Sequence, residues 1–182
     1  MNEPYHQENG WRLIEIRLTK VQQLFDTFDP SPFHEKDLES DAEDYIVGSA
    51  YEFHLKTKLK LVIHLPPDEA ASDQAKTLES VIHHYFEYRL WAARRELKIL
   101  LQFGRIALLI AVIFLFCCML FRAAITRFFN PSMKDILEEG ILIVGWVAMW
   151  KPLEILLYDW WPIRLRCKIL EKLSKVPVEI RC

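Results

Sequence analysis

Two stretches in the first third of the chain alternate apolar and charged residues with a period of two. They are WRLIEIRL at 11–18 and KLKLVIHL at 58–65. Because successive side chains of a strand point to opposite faces, this period predicts two half-buried β-strands. The segment VPVEIRC at 176–182 alternates in the same way, and a third strand and an irregular tail are equally compatible with it.

Two stretches between the first two strands have apolar residues at helical spacing instead. The first is TKVQQLFDTF at 19–28, and the second is DAEDYIVGSAYEF at 41–53, with Ser40 before it as the predicted N-cap. The predicted order is strand, helix, helix, strand. Strands separated by helices usually pair in parallel, so the sequence predicts a small α/β layer over 1–69 within an α+β membrane protein.

A long amphipathic helix is predicted next, over residues 70–105. Its apolar stripe recurs at steps of three and four residues. The stripe consists of Leu78, Ile82, Tyr85, Phe86, Leu90, Ala93 and Leu97. Such a stripe covers a sheet in a monomer or packs against copies of itself in an oligomer, and the pattern does not distinguish the two.

The segment 106–121, IALLIAVIFLFCCMLF, contains no charged residue. At the rise of an α-helix it is about 24 Å long, which is short for a bilayer span. Arg105 and Arg122 bracket it and can extend their charged ends toward lipid headgroups. We therefore predict a first transmembrane helix over 106–125. A soluble core helix that is apolar on every side would need a much larger protein around it.

A second transmembrane helix is predicted over 136–160, although it contains charged residues. Lys151 and Glu154 are three residues apart, so they can pair on one helix face. Pro152 removes a backbone donor and should kink the helix. Two geometries remain open: a span that runs to the end of this segment, and a shorter span that ends near Trp150 before the chain turns into the interface plane.

The Lys and Arg residues near the two predicted spans set their orientation. Those on the flanks are Arg89, Arg94, Arg95, Lys98, Arg105, Arg164, Arg166, Lys168, Lys172 and Lys175. Those between the spans are Arg122, Arg127 and Lys134. By the positive-inside rule, this asymmetry predicts an external loop at 126–135 and a basic cytoplasmic tail at 161–182. Both termini are therefore expected on the cytoplasmic side of an inner (plasma) membrane, with a turn at Asn130 and a helix cap at Ser132 in the loop.

Charge and motif content exclude several function classes. The net charge of −2 does not fit a nucleic-acid partner, because nucleic-acid binding depends on clustered Lys and Arg. The adjacent His83 and His84 point about 100° apart on a helix and are poorly placed to share a metal ion. No Gly-rich phosphate loop or nucleophile elbow occurs in the sequence. We therefore predict no catalytic, metal or cofactor site.

The strongest functional pointer is the pair Lys151 and Glu154. Ionisable groups at membrane depth are unfavourable, and they usually face a bundle interior or a water-filled path. Charges that hold the helix against its neighbour or lie at the interface are the simpler interpretation. A weaker polar cluster at the inner interface consists of Tyr158, Asp159 and Arg164.

Two stretches of the sequence also resemble a family of small bacterial membrane proteins with two spans. They are FDPSPFHEKDLESDAEDYIV at 28–47 and KPLEILLYDWWPIR at 151–164. The resemblance implies a bacterial inner membrane. The family provides no activity, cofactor or catalytic residue to transfer.

Taken together, these patterns favour a membrane-anchored cytoplasmic module that acts as an assembly or scaffold subunit. Its expected partners are the lipid bilayer and either a copy of the chain or another membrane protein. The alternative is an oligomeric channel or transporter subunit whose second span lines the path. An enzyme that acts at the inner interface, around Tyr158, Asp159 and Arg164, is a third hypothesis.

Overall fold

Four strands form one sheet in the order β1-β2-β3-β4. The strands are β1 (Gln7–Glu8), β2 (Trp11–Arg17), β3 (Leu59–His64) and β4 (Val178–Arg181). They belong to a computed structural model that describes residues 5–33, 36–128 and 131–182, with the side chains of 123–135 left out. The chain divides into a first unit, Met1–Ala93 with Leu165–Cys182, and a second unit, Arg94–Arg164.

The three longer strands pair in parallel, β2 with β3 and β3 with β4. Alternating apolar and charged residues predicted β2 and β3, and the structure confirms both strands. The C-terminal tail supplies β4, which pairs with β3 of its own chain, so the tail is a strand and not an irregular segment. The result is a mixed α+β fold with a four-stranded sheet.

The remaining strand, β1, pairs antiparallel with β2 and was not predicted. Two residues are too few for a visible alternation. The connection is a tight turn in which Asn9 has φ 50° and Gly10 has φ 80°. Both residues adopt the left-handed region that a two-residue hairpin turn requires, and Asn-Gly is the strongest short signal for such a turn.

The helices are α1 (Ser40–Glu52), α2 (Pro67–Ala70), α3 (Asp73–Phe128), α4 (Pro131–Glu154) and α5 (Trp160–Leu173). A π-helical segment, Ile155–Asp159, joins α4 to α5, so the helical backbone is unbroken from Pro131 to Leu173. The turn predicted at Asn130 and the side-chain cap predicted at Ser132 lie outside what the structure describes.

One face of the sheet packs into the core of the first unit. Ile14, Leu61 and Ile63 share that face, because the register pairs Ile14 with Leu61 and alternate residues point the same way. All three are fully buried. Fully buried residues also come from α1, α3 and α5, as Ile46, Phe86 and Leu173 show.

The helix predicted over 19–28 is wrong, because the chain forms only a 3-10 turn at Val21–Leu24. The side chain of Gln23 accepts hydrogen bonds from the backbone N–H groups of Thr19 and Lys20 at the start of this turn. Phe25 is then extended and forms a β-bridge with Leu38. Burial of Phe25 in this extended conformation ends the helical pattern.

The N-cap predicted for α1 is also wrong by one residue. Ser40 is the first residue of the helix, and Glu39 is the cap. The carboxylate of Glu39 accepts a hydrogen bond of 2.8 Å from the backbone N–H of Asp41. A glutamate therefore satisfies the free N–H group for which a serine was expected.

Among the residues that the structure describes, two helical stretches are long and apolar enough to cross a membrane, Asp73–Arg122 and Ile136–Leu173. Within their most apolar windows, 11% and 17% of the residues are buried. A helix from the core of a soluble protein would be mostly buried. The exposure of these segments is compatible with membrane spans.

Candidate functional site

The structure brings three charged side chains together near the end of α4. Lys151 Nζ lies 3.1 Å from Glu154 Oε2 and 3.6 Å from Asp159 Oδ2. The spacing of three residues predicted the pair of Lys151 with Glu154, whereas Asp159 was expected in a different cluster, with Tyr158 and Arg164. The Lys151 side chain is 66% exposed, so the three charges form a surface network and not a buried site.

The π-helical segment explains why Asp159 reaches Lys151. Residues eight apart on a regular α-helix point about 80° away from each other. A π-helical turn takes up one extra residue, so Asp159 returns to the face of Lys151, about two turns along the helix. The segment begins three residues after Pro152, whose ring nitrogen cannot donate a backbone hydrogen bond.

The predicted cluster of Tyr158, Asp159 and Arg164 is divided among separate environments. Tyr158 is exposed, and Asp159 contacts Lys151. The Arg164 guanidinium lies 5.3 Å from the centre of the Trp160 ring, in a cation–π contact. The Trp160 Nε1–H donates to the carbonyl of Leu156, which fixes the indole against the π-helical segment.

A second ion pair joins α3 and α4 at the loop end of the helices. Arg122 Nε donates to Glu138 Oε2 at 3.2 Å, and the Arg122 side chain is 48% exposed. Glu138 lies sixteen residues before Glu154 in α4. The second charged level begins at Lys151, thirteen residues after Glu138, so the two levels are about 20 Å apart along the helix.

Two glycines allow α3 to lie close to the following helical backbone, Gly145 at α4 between the charged levels and Gly104 at the π-helical segment. A Cβ atom at Gly145 would lie 2.7 Å from Leu115 Cδ1, and one at Gly104 would lie 2.8 Å from Ile155 Cγ2. Both distances are too short for real carbon contacts. Small residues at helix contacts are a general feature of packing between apolar helices, and here both glycines act within one chain.

The polar face of the sheet carries a network of ion pairs that the sequence analysis did not find. Lys60 Nζ lies 2.8 Å from Glu179 Oε2, and Arg181 Nε lies 2.7 Å from Glu179 Oε1. Arg181 also pairs with Glu8. These bonds connect β1, β3 and β4. The neighbouring Arg181 and Lys60 lower the pKa of Glu179 from its ordinary value of 4.5 to about 2.

Glu15 of β2 extends the same face. Its carboxylate contacts His6 Nδ1 through Oε2, and Oε1 lies 3.1 Å from His64 Nε2. Hydrogen bonds from His6 and then from His64 lower the pKa of Glu15. The signal for this network was the alternation of charged residues in β2 and β3, but the pairing across strands could not be inferred before the sheet order was known.

A part-buried cluster connects α1 to α3 within the first unit. Tyr85 Oη donates to Glu43 Oε2 at 2.6 Å, and Arg89 Nη2 lies 2.6 Å from Glu43 Oε1. The Glu43 side chain is 12% exposed. Burial, and then the hydrogen bond to Glu43, raise the pKa of Tyr85.

Comparisons with protein-family models, with curated proteins and with solved structures find no match to this chain. The resemblance to small two-span bacterial membrane proteins therefore depends on the two stretches quoted above. Function has to be argued from the residues themselves.

The chemistry available in these clusters is that of paired charges. Among the residues that the structure describes, no group of three or more His, Cys, Asp or Glu is arranged to hold a metal ion. The charges of Lys151 and Glu179 are each balanced by neighbours within 4 Å. Such networks hold neighbouring helices and strands in position.

Proposed function

We propose that this chain is a two-span membrane protein that carries its α/β unit at the cytoplasmic surface as an assembly or scaffold subunit. In this proposal, the second unit crosses the bilayer as a helical hairpin, with spans over 106–125 and 136–160. The observation that carries it is the apolar surface of the second unit. Many large hydrophobic side chains of this unit are exposed. They include Ile106, Leu109, Ile110, Phe116, Phe121, Ile143, Trp146, Val147 and Trp150.

An exposed apolar surface of this extent is unstable in water and needs lipid or protein to cover it. The two charged levels, Arg122 with Glu138 and Lys151 with Glu154, are about 20 Å apart along α4, and the uncharged stretch 106–121 of α3 is about 24 Å long. That length is somewhat less than the hydrocarbon core of a bilayer, about 30 Å. Long basic side chains at the ends make up the difference by extending toward the headgroups.

The geometry of Lys151 supports an interfacial role. Its ammonium group contacts Glu154 and Asp159, which both lie further along the chain and so nearer the cytoplasmic end of the proposed span. Lys151 therefore extends out of the apolar layer and not into it. Exposed Trp161 and the Trp160 pair with Arg164 add the aromatic and basic groups that favour the headgroup region.

One observation favours a second candidate, an oligomeric channel or transporter subunit. Lys151 and Glu154 are exposed on a helix that is otherwise apolar, and such charges line ion paths in some membrane proteins. In that case copies of α4 would surround the path, with Lys151 and Glu154 facing it.

The deciding experiment combines native mass spectrometry with ion flux in proteoliposomes, for wild type, Lys151→Met and Glu154→Gln. Lys168→Met, at an exposed position of α5, is the control for loss of one positive charge. The scaffold proposal predicts a stable complex with itself or a co-purified membrane protein, and no flux in any variant. Flux that changes in Lys151→Met but not in Lys168→Met would contradict it in favour of the channel. A lone monomer would contradict both.

A further inference from the structure

A groove lies between α3 and α4 near the loop end of the second unit. Its volume is about 450 Å³. The lining is apolar, and it includes Phe114, Cys117 and Phe121 from α3 and Ile136, Gly140 and Val144 from α4. A volume of this size is within the range of sites for small molecules, about 300–1,000 Å³.

The spacing of two glycines in α4 accounts for the groove. At Gly145 the helices touch, because a Cβ there would lie 2.7 Å from Leu115 Cδ1. At Gly140, by contrast, a Cβ would have no described atom within 4 Å. The helices therefore pack at Gly145 and leave space beside Gly140, where a larger side chain would have filled the gap.

A charged group lies at the loop end of this groove. Arg122 follows Phe121 directly, and Glu138 follows Leu137, which also lines the groove. The bond to Glu138 uses the Nε–H of Arg122. The two terminal nitrogens carry the other N–H donors of the guanidinium, and planar donor pairs of this kind recognise phosphate oxygens well.

We propose that this groove binds one acyl chain of a glycerophospholipid, with the lipid phosphate at Arg122. The inference rests on the proposed membrane location of the hairpin. From Ile136 to Val144 the groove is about 12 Å long. This length is close to the hydrocarbon depth of one leaflet, about 15 Å, or half of the bilayer core. An apolar groove that ends near the ion pair of Arg122 with Glu138 therefore matches a lipid from the leaflet at the loop end of the hairpin, whose phosphate can accept hydrogen bonds from the terminal N–H groups of Arg122.

The test is lipid retention measured by native mass spectrometry, after transfer of the full chain from nanodiscs of phosphatidylethanolamine and phosphatidylglycerol into detergent. Gly140→Leu fills the groove, whereas Val147→Leu changes an exposed position of the same helix. We expect wild type and Val147→Leu to retain one phospholipid and Gly140→Leu to lose it. Arg122→Gln should lower the retained fraction about tenfold, through loss of one charge-assisted contact.

A photoreactive acyl chain provides a second measurement if Gly140→Leu does not fold. We expect wild type to cross-link within 114–121 and 136–144 more than at Val147. Equal retention in Gly140→Leu and Val147→Leu, or even labelling around both helices, would overturn the inference. A dimer without lipid that Gly140→Leu dissociates would also overturn it, because a second copy would then fill the groove. Flotation of wild type with vesicles separates these outcomes from failure of the membrane proposal itself.

Discussion

At the residue scale, Gly145 sets how closely α4 approaches α3, and Gly104 sets how closely the π-helical segment approaches α3. We predict that Gly145→Leu destabilises the hairpin by about 1–3 kcal/mol, because overpacking forces neighbouring side chains out of their preferred rotamers. Gly104→Leu should have a similar effect, since a Cβ there would meet Ile155 at 2.8 Å. Thermal unfolding in detergent, followed by circular dichroism, measures the change.

Gly140→Leu is the matched control on the same helix. Its new Cβ would have no described atom within 4 Å, so we expect little change or a slight stabilisation from the higher helix propensity of leucine. If Gly140→Leu and Gly145→Leu were equally destabilising, glycine flexibility and not close packing would explain both positions.

Glu43 is the second residue whose replacement has a specific expected effect. Glu43→Ala removes the carboxylate that accepts from both Tyr85 and Arg89. The Tyr85 hydroxyl and the Arg89 guanidinium each lose this partner in a part-buried site. We expect a loss of about 1–3 kcal/mol in the free energy of unfolding. Asp44→Ala, at the exposed neighbouring position, should change it by less than about 0.5 kcal/mol. Equal losses in denaturant unfolding would contradict the role assigned to the Glu43 cluster.

At the scale of elements, the ion pairs on the polar face of the sheet predict a specific dependence on pH. The pKa of Glu179 is lowered to about 2 in the folded state, so its contribution is fully present above its ordinary pKa of 4.5. The contribution is lost as the pH falls from there toward about 2, because the folded state then gains the proton that the unfolded state already holds.

Glu179→Gln tests this pH dependence. The difference in unfolding temperature between wild type and this variant should be largest near neutral pH and should shrink as the pH falls below about 4.5. Glu79→Gln, at an exposed position of α3, provides the comparison. A difference that stays constant across this range would show that Glu179 does not act through its charge.

The elements that the sequence predicted are those whose pattern is local. Alternation revealed β2 and β3, whereas β1 has two residues and is identified by its Asn9-Gly10 turn. The pattern over 19–28 suggested a helix because the buried residues Val21, Leu24 and Phe25 are spaced nearly as they would be on one face of a helix. A tertiary bridge between Phe25 and Leu38 overrode this local preference.

The same distinction applies to the candidate site. Lys151 and Glu154 were paired from their spacing alone, but Asp159 was not, because eight residues bring two side chains to one face only where the helix contains a π-helical segment. The bond between Lys60 and Glu179 joins positions 119 residues apart in the chain. Pairs at such separations follow from the sheet order and not from any sequence window.

At the scale of the whole molecule, the proposed function requires that the second unit lie in a bilayer as a hairpin. The exposed apolar surface of α3 and α4, the charged levels at both ends and the excess of Lys and Arg on the flanks all follow from that arrangement. It also requires that the segment between α3 and α4 face one side of the membrane and that the C-terminal end of the chain face the other.

Labelling of single cysteines with a membrane-impermeant maleimide tests this claim most directly. One variant keeps Cys182 and the other carries Asn130→Cys, with the remaining native cysteines replaced by serine in both. The account predicts that, in sealed vesicles, Cys182 reacts only from the cytoplasmic side and the residue at 130 only from the opposite side. Reaction of both positions from the same side, or release of the chain by alkaline carbonate, would contradict the two-span arrangement.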